Sequence, residues 1–234
     1  MPGMSVDPTP TTPDSGRRQT ISPHTVRRLS YYLRSLEELA ARRQSTVSSR
    51  QLADALGLTA AQVRKDLAYF GQFGRPGVGY GVPGLVEHLR AIFGTDKTWN
   101  VAVVGAGNLG GALLRYKGFT PKGFRVVAAF DAAPGKTGKR FGDLLVQPMS
   151  ELAATIEARQ IRLVLLAVPA EAAQEVADQL CRAGVKGILN FTPVNLATPP
   201  EVAVVPVDLA VQLEQLSYLV NAPLPRQHGA IKGR

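Results

Sequence analysis

Apolar residues first recur at helical spacing in Val26, Leu29, Leu33, Leu36 and Ala40. They follow Ser22-Pro23, a hydroxyl cap with proline at the first helical position, and the helix is predicted to run out near Arg42-Arg43. Two short helices come next, each opened by a hydroxyl residue three positions before a glutamine, the spacing of a capping box: Ser48-x-x-Gln51 and Thr59-x-x-Gln62. Gly57 ends the first of the two. Helix, Gly-Leu-Thr turn, helix is the order of a helix-turn-helix unit, whose second helix can enter the DNA major groove. In that second helix Ala60, Val63, Leu67 and Phe70 share one face, and Ala61, Gln62, Lys65, Ala68 and Tyr69 point away from it. Residues 71–81 hold five glycines around an Arg75-Pro76-Gly77 tip, with Phe73, Val78 and Tyr80 between them, which suits a hairpin wing.

From Trp99 the pattern becomes strand, helix, strand. A strand is predicted over 101–104, a helix from Asn108 to about Lys117, and a strand from Arg125 to Phe130 that ends at Asp131. Ile161 to Val168 is nearly all apolar, as in a parallel strand covered on both faces, and it ends at Pro169 before a helix over 170–183. Strands at 186–191 and 202–207 follow. A closing helix over 208–221 carries Leu209, Leu213, Leu216 and Val220. Either its own domain or a second subunit would cover that stripe. The predicted class is α/β: a winged-helix domain over 21–94, a Rossmann-type doubly wound parallel sheet over 95–206, and a C-terminal helix over 207–221. The Thr- and Pro-rich residues 1–20 and the tail 222–234 lack the apolar content to offset ordering entropy and are predicted to be disordered.

The 234 residues carry a net charge of +9 and are 45% hydrophobic, so a core is affordable and a polyanionic partner is plausible. Splitting at Gly94 gives 12 basic and 7 acidic residues before it and 15 and 11 after it, so the shorter N-terminal part is the more basic per residue. The lone Cys181 excludes an internal disulfide and reads as a small core residue. With no apolar run of membrane-spanning length and no secretory signal pattern, the expected location is the cytoplasm.

The candidate chemistry begins at Gly105-Ala106-Gly107-Asn108-Leu109-Gly110, a G-x-G-x-x-G turn between strand and helix. Gly105 permits the tight turn, Gly107 the approach of a pyrophosphate, and Gly110 close helix–strand packing, with the anion on the helix N-terminus. Asp131 lies 21 residues after Gly110, where a carboxylate can bind the adenosine ribose and repel a 2′-phosphate. NAD(H) is therefore expected, although Lys136, Lys139 and Arg140 could accommodate that phosphate. Val168, Pro169, Asn190 and Thr192 fall at strand carboxyl ends, where open α/β sheets bind ligands. A dehydrogenase also needs a proton donor beside the nicotinamide. His24 precedes the first helix, His88 is expected between the domains, His228 lies in the tail, and Tyr116-Lys117 lacks Tyr-x-x-x-Lys spacing. No catalytic residue or metal site is expected. On the N-terminal side the candidate DNA contacts are Ser49, Gln62, Arg64, Lys65, Tyr69 and the wing-tip Arg75, the last suited to a minor groove.

The segments Val63-Arg64-Lys65-Asp66-Leu67-Ala68-Tyr69-Phe70-Gly71, Gly77-Val78-Gly79-Tyr80, the 105–110 turn, Gly187-Ile188-Leu189-Asn190-Phe191 and Val207-Asp208 closely resemble the Rex family of redox-sensing transcriptional repressors. The likeness covers about residues 22–221. It implies a homodimer that exchanges C-terminal helices, binds NADH or NAD⁺, holds palindromic operators when NADH is scarce and releases them when NADH accumulates. It also implies an interdomain polar cluster of Arg34, Tyr116 and Asp208. One departure is Leu209, where some relatives place a Phe near the partner's nicotinamide. The rival reading is an NAD(P)- or CoA-binding enzyme with an accessory basic domain.

Overall fold

The computed structural model describes residues 21–75 and 77–221. The predicted disordered segments 1–20 and 222–234 lie outside the described residues. The chain divides into two compact units between Phe93 and Gly94.

The first unit begins with α1 (Pro23–Ala41), capped by the Ser22 side chain. Its buried face is Leu29, Tyr32 and Leu36, with Leu33 packed against the core. The predicted stripe is thus displaced at its ends: Val26 and Ala40 are exposed, and an aromatic residue takes the central place. After β1 (Thr46–Val47) come α2 (Ser49–Leu56) and α3 (Ala60–Ala68). The capping box forms fully at α2 but only half forms at α3, where the Thr59 hydroxyl accepts from the Gln62 N–H and the Gln62 side chain turns elsewhere. The hairpin β2 (Gly74–Arg75) and β3 (Gly79–Gly81) pairs antiparallel with β1, in the order β1-β3-β2. Gly79 has φ +93°, and a Cβ there would overlap the Val47 carbonyl, so the wing strand approaches β1 only because this residue has no side chain. A helix absent from the sequence reading, α4 (Val82–Phe93), closes the unit by burying Val82, Leu85, Val86 and Leu89. His88 is on this helix, tilted against Phe73 with ring centroids 5.0 Å apart, and so belongs to the first unit instead of lying between domains.

The second unit is a seven-stranded sheet. Its members are β4 (Trp99–Val104), β5 (Phe124–Asp131), β6 (Arg140–Phe141), β7 (Leu144–Pro148), β8 (Leu163–Leu166), β9 (Gly187–Asn190) and β10 (Ala203–Pro206). The order is β10-β9-β8-β4-β5-β7-β6, parallel except for the antiparallel edge strand β6. Strand order reverses between β4 and β8, as in a doubly wound Rossmann sheet, and ligands bind such sheets at that point. Helices α5 (Asn108–Arg115), α6 (Leu152–Ala158) and α7 (Ala170–Arg182) link the strands. The core packs Val104, Phe130, Ile161, Leu166, Leu180 and Ile188, with Cys181 packed against it, and burial raises the Cys181 thiol pKa. The final helix, α8 (Leu209–Asn221), buries none of its residues: Leu213, Leu216 and Val220 are 66%, 55% and 75% exposed. Among the described residues none covers this stripe.

Candidate dinucleotide and nucleic-acid sites

The glycine turn joins β4 to α5 at the topological reversal. Gly105 has φ +96°, and a Cβ there would overlap the Ala167 carbonyl oxygen, so the carboxyl ends of β4 and β8 meet through this residue. A Cβ on Gly110 would overlap the Gly105 carbonyl oxygen, which sets how tightly α5 lies on its strand. Gly107 is different: the nearest atom to its missing Cβ is Lys136 Nζ at 3.8 Å, which leaves the backbone open to approach. Gly107 is also the N-cap of α5, and no side chain caps that end. Ala106, Asn108 and Leu109 complete the turn, and Val168 and Pro169 lie just beyond the Ala167 carbonyl, Pro169 serving as N-cap of α7. These residues fit a pyrophosphate: an open cradle of backbone at an uncapped helix start.

Asp131 ends β5 beside that cradle and is only 7% exposed. Its carboxylate accepts from the Ala106 N–H at 2.7 Å, the Ala133 N–H at 2.9 Å and Lys136 Nζ at 3.2 Å. Burial pushes its pKa up, but the Ala133 and Ala106 N–H bonds and Lys136 outweigh that and hold it below the ordinary value. The acid is thus charged and tied to the turn itself. Lys136 pairs with this carboxylate, which lessens its freedom to serve a 2′-phosphate. Asn190 and Thr192 sit at the carboxyl end of β9, 2% and 6% exposed. Asn190 Oδ1 accepts from the Thr192 N–H and hydroxyl, and its Nδ2 donates to the Val194 carbonyl. These polar groups bond to one another and brace the loop after β9.

In the first unit α3 exposes Ala61, Arg64, Lys65 and Ala68, with its C-cap Tyr69 also exposed, and buries Val63, Asp66 and Leu67. Arg64 Nη1 donates to the Ser49 hydroxyl at 3.0 Å, tying α3 to the first turn of α2. Tyr69 is 44% exposed and stands edge-on to Phe70. Arg75 is exposed on the wing, whose tip is closed by the Val78 N–H donating to the Arg75 carbonyl.

The residue that sequence reasoning missed is Asp66, 4% exposed beneath this face. Arg28 grips it with two bonds, Nε to Oδ2 at 2.6 Å and Nη2 to Oδ1 at 2.7 Å. The Tyr32 hydroxyl donates to Oδ2 at 2.8 Å and Gln62 Nε2 to Oδ1 at 2.8 Å. Burial raises the Asp66 pKa, and the bonds from Arg28, Tyr32 and Gln62 overcome it, leaving the carboxyl below its ordinary value. The signal available in the sequence was the i, i+4 pair Arg28–Tyr32 on α1 facing an acid on the buried side of α3.

The comparisons with known proteins follow this division. Residues 20–68 match the family described as "Putative DNA-binding protein N-terminus", and residues 96–194 match the CoA binding domain family. The chain is 49% identical over 197 residues to the redox-sensing transcriptional repressor Rex of Carboxydothermus hydrogenoformans, covering 84% of this chain and 95% of that one. The chain belongs to the Rex family. The Rex of Desulforamulus reducens is 45% identical over 83% of this chain and 92% of its own. A crystal structure of RSP in complex with β-NAD⁺ and operator DNA superposes with a TM-score of 0.83 at 39% identity, covering 87% of this chain and 94% of that one. RSP in complex with β-NADH gives 0.79 at 38% identity over 87% and 96%. The Rex relatives are named as transcriptional repressors, not enzymes, which decides against the rival enzyme reading. Among the described residues no helix is long and apolar enough to cross a membrane, and no group of three or more His, Cys, Asp or Glu could hold a metal ion.

Of the cluster implied by the family likeness, Arg34 is exposed on α1 in the first unit. Tyr116 ends α5, 59% exposed and edge-on to Phe119, and Asp208 precedes α8, its Oδ1 accepting from the Ala210 and Val211 N–H groups.

Proposed function

We propose that this Rex-family chain is a homodimeric repressor that holds a palindromic operator when NADH is scarce and releases it when NADH accumulates. The observation that carries this is one chain combining an exposed, basic α3 face with a glycine turn whose partner acid is charged and built into the turn. Ser49, Gln62, Arg64, Lys65, Tyr69 and Arg75 would meet DNA, the α3 residues in the major groove and Arg75 in a minor groove. Gly105 to Gly110, Val168 and Pro169 would hold the pyrophosphate and nearby atoms of NAD(H). Asp131 would accept from the adenosine ribose, with Asn190 and Thr192 bracing the far wall. The dinucleotide serves as a signal, because NADH and NAD⁺ differ by a hydride in ring charge and shape.

A homodimer is the reading that the bare apolar face of α8 supports, and a two-fold operator requires two recognition helices. Arg34, Tyr116 and Asp208 would link the DNA-binding unit, α5 and α8, so that cofactor state alters the spacing of the two α3 helices. Leu209, 64% exposed at the start of α8, would contact the partner's cofactor as an aliphatic residue. A protein acting on operator DNA works in the cytoplasm. A ligand shifts such an equilibrium only through unequal affinity for its two states. The test is the operator dissociation constant with saturating NADH and with saturating NAD⁺: NADH is expected to raise it far more, and equal effects would overturn the proposal.

A further inference from the structure

We infer that Gln62 is a specificity-determining residue that presents a hydrogen-bond acceptor to the DNA, and that the buried carboxylate of Asp66 is the positioning group that sets this polarity. The inference rests on α3 being the recognition helix. Its basis is the donor count around one oxygen pair. An ionised carboxylate only accepts, and Asp66 is held ionised between Arg28, Tyr32 and Gln62. Whatever reaches it from Gln62 must therefore be the amide nitrogen. The 2.8 Å contact from Nε2 to Oδ1 meets that requirement, and it fixes the two ends of an otherwise symmetrical carboxamide.

With Nε2 turned inward, Oε1 is the outward end. Among the described residues it has no hydrogen-bond partner, yet it is not among the side-chain atoms shut off from solvent without one. Gln62 lies in the first turn of α3, the part of a recognition helix that meets base edges, beside the exposed Ala61 and Lys65. A carbonyl oxygen there accepts from the amino group of adenine N6 or cytosine N4, the two major-groove donors. It has nothing to gain from guanine N7 and O6 or thymine O4, which only accept. Asp66 does this from beneath the helix. Its bonds to Arg28 and Tyr32 anchor it to α1, 38 and 34 positions earlier in the chain, so the carboxylate cannot follow the amide outward. A buried ion pair is seldom the best way to gain stability alone. Here it also orients a side chain that would otherwise flip freely.

The experiment uses the full chain and the palindromic duplex that the wild-type protein enriches from a random library. Each adenine of a half-site is replaced in turn by purine, each cytosine by its 4-desamino analogue, and each guanine by 7-deazaguanine. One amino deletion should weaken the wild-type protein about three- to ten-fold, the worth of one hydrogen bond, and leave Gln62→Ala unaffected. Coupling to 7-deazaguanine instead, or to no amino deletion, would overturn the proposal. Failure of the wild-type protein to enrich any duplex would instead sink the DNA-binding reading on which it rests. In a ¹⁵N-glutamine-labelled sample the Gln62 side-chain amide should show one slowly exchanging proton whose shift moves as Asp66 is protonated. Averaged, free-amide shifts would remove Asp66 from the account.

Discussion

Each unit of this chain buries one aspartate in its site, and the two are satisfied differently. Asp66 receives only side-chain donors, from α1 and from its own helix. Asp131 receives two backbone N–H groups from its immediate surroundings and one lysine that is 39% exposed. The first arrangement has each oxygen engaged twice, by the buried Tyr32 and the half-buried Arg28 and Gln62, so it acts as a joint between α1 and α3. The second has a single exchangeable partner at the protein surface, so under the proposed function a ribose hydroxyl would compete with Lys136 while the backbone bonds remain. A fixed charge suits a surface that must keep its shape to read DNA. A partly replaceable one suits a site that must admit and release a ligand.

The sharpest break of that contrast is Asp66→Ala. Removing the acceptor that Arg28, Tyr32 and Gln62 share should destabilise the first unit by at least the ~1.5–3 kcal/mol that one hydrogen bond to a charged group contributes. Thermal melts should show that loss, with NADH binding by the second unit retained. The pH dependence follows with a definite sign. The folded-state pKa of Asp66 is depressed, so its contribution is full above the ordinary aspartate range and disappears as pH falls through the lower folded value, below about 4. Acid titration of Asp66→Asn should be flatter than wild type in that window.

On the other side, Gly110→Ala forces a Cβ into the Gly105 carbonyl and should cost about 1–3 kcal/mol or more by overpacking. NADH binding measured by calorimetry should be lost while DNA binding persists. Asp131→Asn keeps the shape but removes the charge, and should weaken NADH by about 1.5–3 kcal/mol, the worth of hydrogen bonds to a charged group. An unchanged affinity would mean that the ribose does not use this acid. The smallest effect belongs to Lys65→Ala, which should lower operator affinity and, if it meets a phosphate, reduce the salt-dependence slope by about one, without altering NADH affinity.

Legibility in the sequence followed range. Gly105, Gly107, Gly110 and Asp131 were readable because their roles depend on local turn geometry and a strand-to-strand spacing that the chain itself encodes. The caps at Ser22, Ser48 and Thr59 were readable for the same reason. The core face of α1 was half readable: Leu29 and Leu36 repeat at helical spacing, but Tyr32 occupies the buried centre because its hydroxyl has Asp66 to bond. Asp66 itself was given no role, since only the approach of α1 to α3 brings Arg28 to it. Helix α4, the β6–β7 hairpin and α6 were absent from the reading, although α4 supplies four buried residues to the first core.

The sequence by itself determined the helix-turn-helix unit, the dinucleotide turn with its acid, and the family, because these rest on neighbouring residues and fixed spacings. The tertiary structure alone decided which polar groups are taken and which are offered. It closed Asn190 on Thr192, paired Lys136 with Asp131, and turned the Gln62 nitrogen inward. The physical reason is that a hydrogen bond is settled by the partner within about 3 Å, and burial compels a partner to be found. Spacing along the chain states which groups exist, while packing states which of them remain to meet a ligand.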